Sequence, residues 1–283
     1  MNWKERIKLI WPKYQKLILD YPVEMKPRYG HGLPSLPAVE KVIADNTSVY
    51  QDWAQVMLEY ASDIQKIRPA HGETDTTAPA WNNGFLPGLD VAALYSLVRK
   101  TRPKRYVEVG SGNSTKVAFR AKQDGQLDMK IVSIDPYPRA EIDALADEVV
   151  RAPFESGNWK EWSKLSAGDV VFIDNSHRVL PNSDAMVFFM EVLPQLPKGV
   201  LVHVHDIYWP FDYPQEMCDR FYSEQYVLGA FLLANPQRYR TVFPAYYFSQ
   251  TPSLSKTIDE LWNHAHLEGV ERHGGSYWLE IGE

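Results

Sequence analysis

One cysteine, Cys218, stands in the 283 residues. That scarcity excludes an internal disulfide framework and a cysteine-rich zinc site, and leaves the thiol as a small core residue. No stretch is long and uncharged enough to cross a bilayer, and the opening "MNWKERIKLIWPKYQKLILDY" lacks the continuous apolar run of a signal peptide. The expectation is a soluble cytoplasmic protein with no membrane partner. Blocks of lysine and arginine are also missing. Acids outnumber bases 36 to 30, for a formal charge of −6, so no nucleic-acid surface is expected. There is no internal repeat and no low-complexity tract. Nothing bears on oligomeric state, and a homo-oligomer remains open.

What is present is ample apolar material, 45% of the chain, enough for one large domain or a core with an appendage. Nine tryptophans are more than usual. Most are expected in the core. Residues 1–85 read as a helical extension or lid. Trp3, Ile7, Ile10, Tyr14, Leu17 and Tyr21 recur at helical spacing, with Pro12 a kink, and Val49 to Ile67 carry a second amphipathic pattern. The Pro/Gly-rich "KPRYGHGLPSLP" between them reads as a loop.

From residue 86 the pattern alternates. A helix from near Pro87 to Lys100 precedes five short apolar strands, "RYVEVG", "KIVSID", "DEVVRAP", "DVVFID" and "GVLVHVHD". Helical stretches separate them from about Ser114, around residues 140–146, in "SDAMVFFMEVLPQL", and after the fifth strand in "PQEMCDRFYSEQYVLGAFLLAN". Such alternation predicts a Rossmann-like, doubly wound, mostly parallel α/β sheet over residues 86–283. The tail departs from it. "YRTVFPAYYFS" and "GGSYWLEIG" are strand-like around one helix, "SLSKTIDELWNHAH", and suit an antiparallel edge.

The turn "RYVEVGSGNSTK" carries the functional question. A phosphate-binding P-loop needs Gly-Lys-Ser/Thr after four intervening residues, and Lys116 sits between Thr115 and Val117 instead. A dinucleotide turn needs G-x-G-x-x-G/A, and the third position falls on Thr115, so that reading has weak support but stays open. A third ligand, S-adenosylmethionine, suits Glu108. A carboxylate two residues before Gly110 would repel a diphosphate and attract an ammonium and a sulfonium. Asp135, 23 residues beyond Gly112, ends the second strand where a carboxylate can accept from both ribose hydroxyls. Phe154 and Glu155 follow the third strand, placed to stack on adenine and take its polar edge.

The motifs "EVGSGNSTK", "SIDPYPRAEID", "DVVFIDNSHR" and "VHVHDIYWPFDYP" resemble, in order, those of the class I S-adenosylmethionine-dependent methyltransferases, and within them a small bacterial group. The resemblance covers residues 80–283. It implies a seven-stranded sheet whose last hairpin is antiparallel. It also implies cofactor contacts at Glu108, Gly110, Ser111, Gly112, Asn113, Ser114, Asp135, Pro136, Phe154, Glu155 and Asp174. Ser114 stands where the class has a third glycine.

Asp174 and His177 end the fourth strand, His205 and Asp206 the fifth. Two arrangements are open. In one, His177 or His205 is a general base for the acceptor. In the other, Asp174 and Asp206 hold a divalent cation, as in several metal-dependent O-methyltransferases. Asp174 alternatively caps a turn, and His203, on the same strand face as His205, is a satisfied core histidine. In "DIYWPFDYP", Trp209, Phe211 and Tyr213 either grip an acceptor or pack against the N-terminal region. The reading is methyl transfer from S-adenosylmethionine to a small molecule, at oxygen. N-methylation, a nicotinamide-dependent oxidoreductase and a non-catalytic S-adenosylmethionine-binding protein are the alternatives. Glu108 argues against the oxidoreductase, and the ionisable cluster argues against a scaffold.

Overall fold

The computed structural model describes residues 17, 19–138 and 141–283. The first predicted helix lies almost wholly outside them. Helices α1 (Pro37–Ala44) and α2 (Thr47–Glu59) lead to α3 (Gly88–Thr101). Strand β1 (Arg105–Val109) is followed by α4 (Asn113–Asp124), β2 (Lys130–Ile134), β3 (Glu148–Val150) and β4 (Val170–Ile173). Then come α5 (Asp184–Val187), β5 (Leu201–Val204), α6 (Glu224–Ala234), β6 (Tyr239–Pro244) and β7 (Tyr277–Ile281).

The seven strands lie in the order β3-β2-β1-β4-β5-β7-β6. Strands β1 to β5 are parallel, and β7 runs antiparallel to both β5 and β6. The fold class and the antiparallel hairpin are as the sequence led us to expect. Buried strands explain the apolar runs: β4 and β5 are buried at every position. The strand order reverses between β1 and β4. A crevice therefore opens beyond their carboxyl ends, where ligands of such sheets bind. Among the described residues, no helix is long and apolar enough to cross a membrane.

The N-terminal helices do not form a core of their own. Val39 and Ile43 of α1, and Tyr50, Ala54 and Met57 of α2, belong to the same buried cluster as the sheet. The division at residue 85 stays a proposal about chain organisation, and packing crosses it. The loop at residues 29–36 packs on the segment after β5. Gly30 (φ +69°) lies against the Phe211 ring, and the Leu36 amide donates to Pro210 O at 2.9 Å.

Several helical expectations are corrected. Residues 141–146 form a turn, not a helix. The long helix expected after β5 is broken into Gln215–Cys218 and α6, with Phe221 between them in the left-handed region (φ +60°). The apolar period runs through the break, which is why the sequence reads as continuous. After α5 the helix widens to a π turn at Phe188–Val192. "YRTVFPAYYFS" is strand only to Pro244, and Ala245–Gln250 is helical. The helix expected in "SLSKTIDELWNHAH" is a short α segment, Pro252–Ser255, continued as a kinked 3₁₀ stretch, Lys256–Trp262.

Asp90, buried in the first turn of α3, ties three elements together. Its carboxylate accepts from the Gly275 amide (2.7 Å) and the Ser276 amide (3.0 Å) ahead of β7, and lies 3.4 Å from His205 Nε2 beyond β5. Truncation would orphan two buried amides and remove a counter-charge. Asp90→Ala is expected to cost about 3 kcal/mol in denaturant unfolding, against less than about 1 kcal/mol for an exposed carboxylate such as Glu59.

Candidate active site

The glycine turn is built by contacts below it. Gly110 has φ +81°, and a Cβ there would overlap the carbonyl of Asp174. Only glycine lets the chain leaving β1 lie against the chain leaving β4. A Cβ at Gly112 would meet open space. Glu108 is fully buried. Its carboxylate accepts from Ser114 Oγ at 3.0 Å, from Thr115 Oγ1, and from Tyr106 OH at 3.4 Å. Thr115 Oγ1 in turn accepts from the Gly112 amide at 3.1 Å. The departures from glycine at 114 and 115 thus supply hydroxyls to a buried acid. Burial raises the Glu108 pKa to about 8, against the lowering effect of those hydrogen bonds. The expectation that Glu108 faces the ligand is corrected: it lies beneath the turn, off the cavity wall.

Above the turn lies a cavity of about 550 Å³. It brings together most of the predicted cofactor residues: Gly110, Ser111, Gly112, Asn113 and Ser114 from the turn, Asp135 and Pro136 after β2, Phe154 and Glu155 after β3, and Asp174 after β4. Asp135 is locked by its own backbone neighbours. Oδ2 accepts from the Ser111 amide (2.8 Å) and Oδ1 from the Tyr137 amide (2.7 Å). The Phe154 ring stacks on Trp159 with centroids 4.3 Å apart. Asn175, Ser176 and Asp184, which sequence reading did not single out, complete the polar end of the wall. Asp184 accepts from the Ser176 amide at 2.9 Å and from its hydroxyl at 2.5 Å. Among the described residues the wall carries four carboxylates, Asp135, Glu155, Asp174 and Asp184, and no lysine, arginine or histidine.

The four residues expected to converge beyond β4 and β5 do so. His177 Nε2 is 3.4 Å from Asp174 Oδ1 and 3.5 Å from Asp206 Oδ2. His205 Nδ1 is 3.4 Å from Asp206 Oδ1 and 3.8 Å from Asp174 Oδ1. Burial opposes charging of His205, but Asp206, Asp174 and Asp90 outweigh it and lift its pKa to about 10. His203 is a core residue: it stacks on Phe172 at 3.7 Å, bonds Ser276 Oγ, and burial pushes its pKa well down. One member of the cluster was not foreseen. Glu224, the first residue of α6, is fully buried with Oε1 2.5 Å from His177 Nδ1. Reading one unbroken helix through Phe221 hid it. The only sequence signal would have been Ser223-Glu224 as a helix start.

Among the described residues, no group of three or more His, Cys, Asp or Glu side chains is arranged to hold a metal ion. The divalent cation expected at Asp174 and Asp206 fits poorly, because the two imidazoles already stand between and beside these carboxylates as counter-charges.

The aromatic loop lies away from this cavity. Trp209, Phe211 and Tyr213 are absent from the cavity wall. Trp209 donates from Nε1 to Gln225 O (2.5 Å) and packs at Gly229 of α6, Phe211 covers Gly30, and Tyr213 is buried with Cys218 and Tyr222. They fasten residues 25–36 to α6. Three apolar rings beside proline carry the same pattern whether they meet a ligand or a neighbouring segment, so the sequence alone leaves both readings.

The strand order is that of a Rossmann-like, mostly parallel α/β sheet, with the glycine bend and the acidic cavity at its switch point. Residues 107–207 match the family model of a methyltransferase domain, which spans β1 to the residue after Asp206. The match covers about a third of the chain. No curated protein matches the chain. Among solved structures, the chain is similar to the methyltransferase PaMTH1 of Podospora anserina bound to SAH (13% identity, TM-score 0.40, covering 90% of this chain and 100% of that one). It is also similar to an O-methyltransferase from Bacillus cereus in complex with SAH (16%, 0.40, 83% and 91%) and to the O-methyltransferase TomG from Streptomyces achromogenes, in complex with SAM (14%, 0.35, 87% and 98%).

Glu108 gives this site a pH signature. Its pKa is raised in the folded chain to about 8, above the ordinary carboxyl value, so the folded state holds a proton that the unfolded state releases. Stability supplied by the neutral acid is present below the unfolded pKa of about 4.3 and is lost as pH rises toward 8. The Tm of the native chain is expected to fall relative to that of Glu108→Gln between pH 5 and pH 8. Parallel Tm curves for the two proteins over that range would contradict the assignment.

Proposed function

We propose that this protein transfers the methyl group of S-adenosylmethionine to a small-molecule acceptor, at oxygen. The observation that carries this reading is the cavity wall with four carboxylates and no basic side chain among the described residues. Charges of one sign on a partly enclosed wall attract a cationic ligand and repel an anionic one. S-adenosylmethionine brings a sulfonium and an ammonium, whereas a nicotinamide dinucleotide brings a diphosphate. Glycine turns that bind diphosphates leave helix-terminal amides open to the anion. Here two of the amides are spent inward: Ser111 N on Asp135 and Gly112 N on Thr115.

The residues fit the donor by type. Gly110, Gly112 and Asn113 form the cradle for its amino-acid end, where the open space at Gly112 leaves room for close approach. Asp135 is preset by two backbone bonds to accept from ribose hydroxyls. Phe154 and Glu155 stand at the adenine end. When bound, the donor supplies an electrophilic methyl on a cationic sulfur. The protein's part is to align the acceptor with that methyl, exclude water, and take the acceptor's proton. The cluster of Asp174, His177, His205 and Asp206 lies at the edge of the cavity through Asp174, which is where such a proton would leave. A proton sink favours oxygen: a hydroxyl must lose its proton as it attacks, while a neutral amine attacks without prior loss.

Calorimetry distinguishes the readings. S-adenosylmethionine and S-adenosylhomocysteine are expected to bind, and NAD⁺ and NADP⁺ to give no heat. Asp135→Ala is expected to weaken S-adenosylhomocysteine more than tenfold, and an unaltered affinity would show the ribose contact to be wrong. Transfer of labelled methyl to a panel of phenols, sugars and small amines should persist after exhaustive chelation. Loss on chelation, restored by Mg²⁺, would reinstate a metal.

A further inference from the structure

Beyond β4, residues 176–179 are laced to residues 220–223. The Ser223 amide donates to His177 O at 2.9 Å, and the Val179 amide to Ser223 Oγ at 2.9 Å. Both segments bend through a left-handed residue, His177 (φ +60°) and Phe221 (φ +60°), a conformation that non-glycine residues hold only where the surroundings impose it. The bends bring Arg178 and Arg220 to one ring, Tyr222. Their guanidinium carbons lie 5.4 and 4.5 Å from its centroid, and so within about 10 Å of each other. Tyr222 in turn stacks on the His177 imidazole at 4.5 Å.

These two cations have no acid of their own. Arg178 donates from Nε to Arg220 O (2.7 Å) and from Nη1 to Ser176 O (3.0 Å), which leaves Nη2 uncommitted. Among the described residues neither guanidinium lies in an ion pair, whereas those of Arg99, Arg120, Arg151 and Arg240 do. Two positive charges at this separation repel, and salt screens the repulsion only in part. Fixed geometry holds them together nonetheless: two carbonyls orient the fork of Arg178, and an aromatic face carries Arg220. Arg220 is exposed and Arg178 half-buried, so the pair is open to solvent.

Ser176, whose carbonyl anchors Arg178, lines the donor cavity together with Asp174. The cavity wall carries no basic side chain among the described residues, and both imidazoles of the cluster are enclosed by carboxylates. An anionic group on an acceptor therefore meets acids or neutral groups along the crevice, and unmatched cations only at Arg178 and Arg220. Balancing the cluster's carboxylates at a distance is the rival role for these arginines. That role makes no distinction between a charged and a neutral acceptor.

We propose that Arg178 and Arg220 form an oxyanion site for the methyl acceptor, and that the acceptor is a hydroxy acid. Its hydroxyl lies at the Asp174 end of the cavity and its carboxylate between the two guanidinium groups. This rests on the methyl-transfer reading. A carboxylate accepts two parallel hydrogen bonds from a guanidinium fork, which fixes direction as well as charge. A phosphate monoester or a free inorganic anion presents the same chemistry.

The full chain, saturated with S-adenosylhomocysteine, is titrated with matched probes: hydroxybenzoic acids, the corresponding hydroxybenzamides and the corresponding hydroxyphenyl phosphates. The acids are expected to bind about tenfold or more tighter than the amides at low salt, with the gap narrowing as salt rises. Arg178→Gln and Arg220→Gln should each weaken the acids about fivefold or more and leave the amides within about twofold, and the double variant should abolish the preference. Arg220→Lys should keep part of it, because the charge persists without the fork. In labelled methyl transfer, the glutamine variants should raise KM for the acids more than for the amides. Acids and amides bound alike, a loss that falls on both alike in the arginine variants, or a preference that survives in the double variant would each overturn the proposal. So would failure of every acid to bind. Phosphates favoured over acids would replace the hydroxy acid with a phosphate monoester, and displacement of the acids by equimolar inorganic phosphate would mark a free-anion site instead. Failure of the native chain to bind S-adenosylhomocysteine would strike the methyl-transfer reading, and the acid–amide comparison repeated without it would still decide the arginine site.

Discussion

No side chain fits at residue 110. The chain leaving β1 turns there directly against the carbonyl of Asp174, so two strand ends that diverge in sequence meet at backbone distance. The crevice follows from this contact. It sets the floor on which the amides of residues 110–113 stand, and it brings Asp174 to the wall shared by the cavity and the histidine cluster. A larger residue would push β4 away from β1 and separate the glycine turn from the histidine cluster.

Around that contact the protein distributes charge in two tiers. Of the carboxylates on the cavity wall, Asp174 also faces the imidazoles of His177 and His205, as do Asp90, Asp206 and Glu224 just behind it, while the wall itself carries no basic side chain among the described residues. The outer tier attracts a cation. The inner tier encloses two histidines, and both meet carboxylates at both ring nitrogens: His177 meets Glu224, Asp174 and Asp206, and His205 meets Asp90, Asp174 and Asp206. Glu108 is a third kind of acid, wrapped by hydroxyls and kept neutral near pH 7 by burial.

The sheet was legible because its strands are buried on both faces and show as apolar runs between turn signals. That Gly110, Asp135, Phe154 and Asp174 line one cavity was legible for a related reason: residues at successive strand ends meet in space. Two kinds of information were not available in one dimension. Side-chain direction was one, and it is why Glu108 turned out to lie under the turn and Trp209, Phe211 and Tyr213 under α6. Breaks within a continuous apolar period were the other. Phe221 interrupts a helix that its neighbours would support, and the interruption is what delivers Glu224 to His177.

The hairpin at the end of the sheet constrains how the molecule can be assembled. Strand β7 lies between β5 and β6, so β6 has no neighbour in the sheet until β7 has been made. During synthesis the first five strands can associate as they emerge, while β6 and the helices after it wait beside an unfinished edge. The backbone of β5 is likewise unpaired on that side until β7 arrives, so the histidine cluster beyond β5 is the last part of the crevice to acquire its shape.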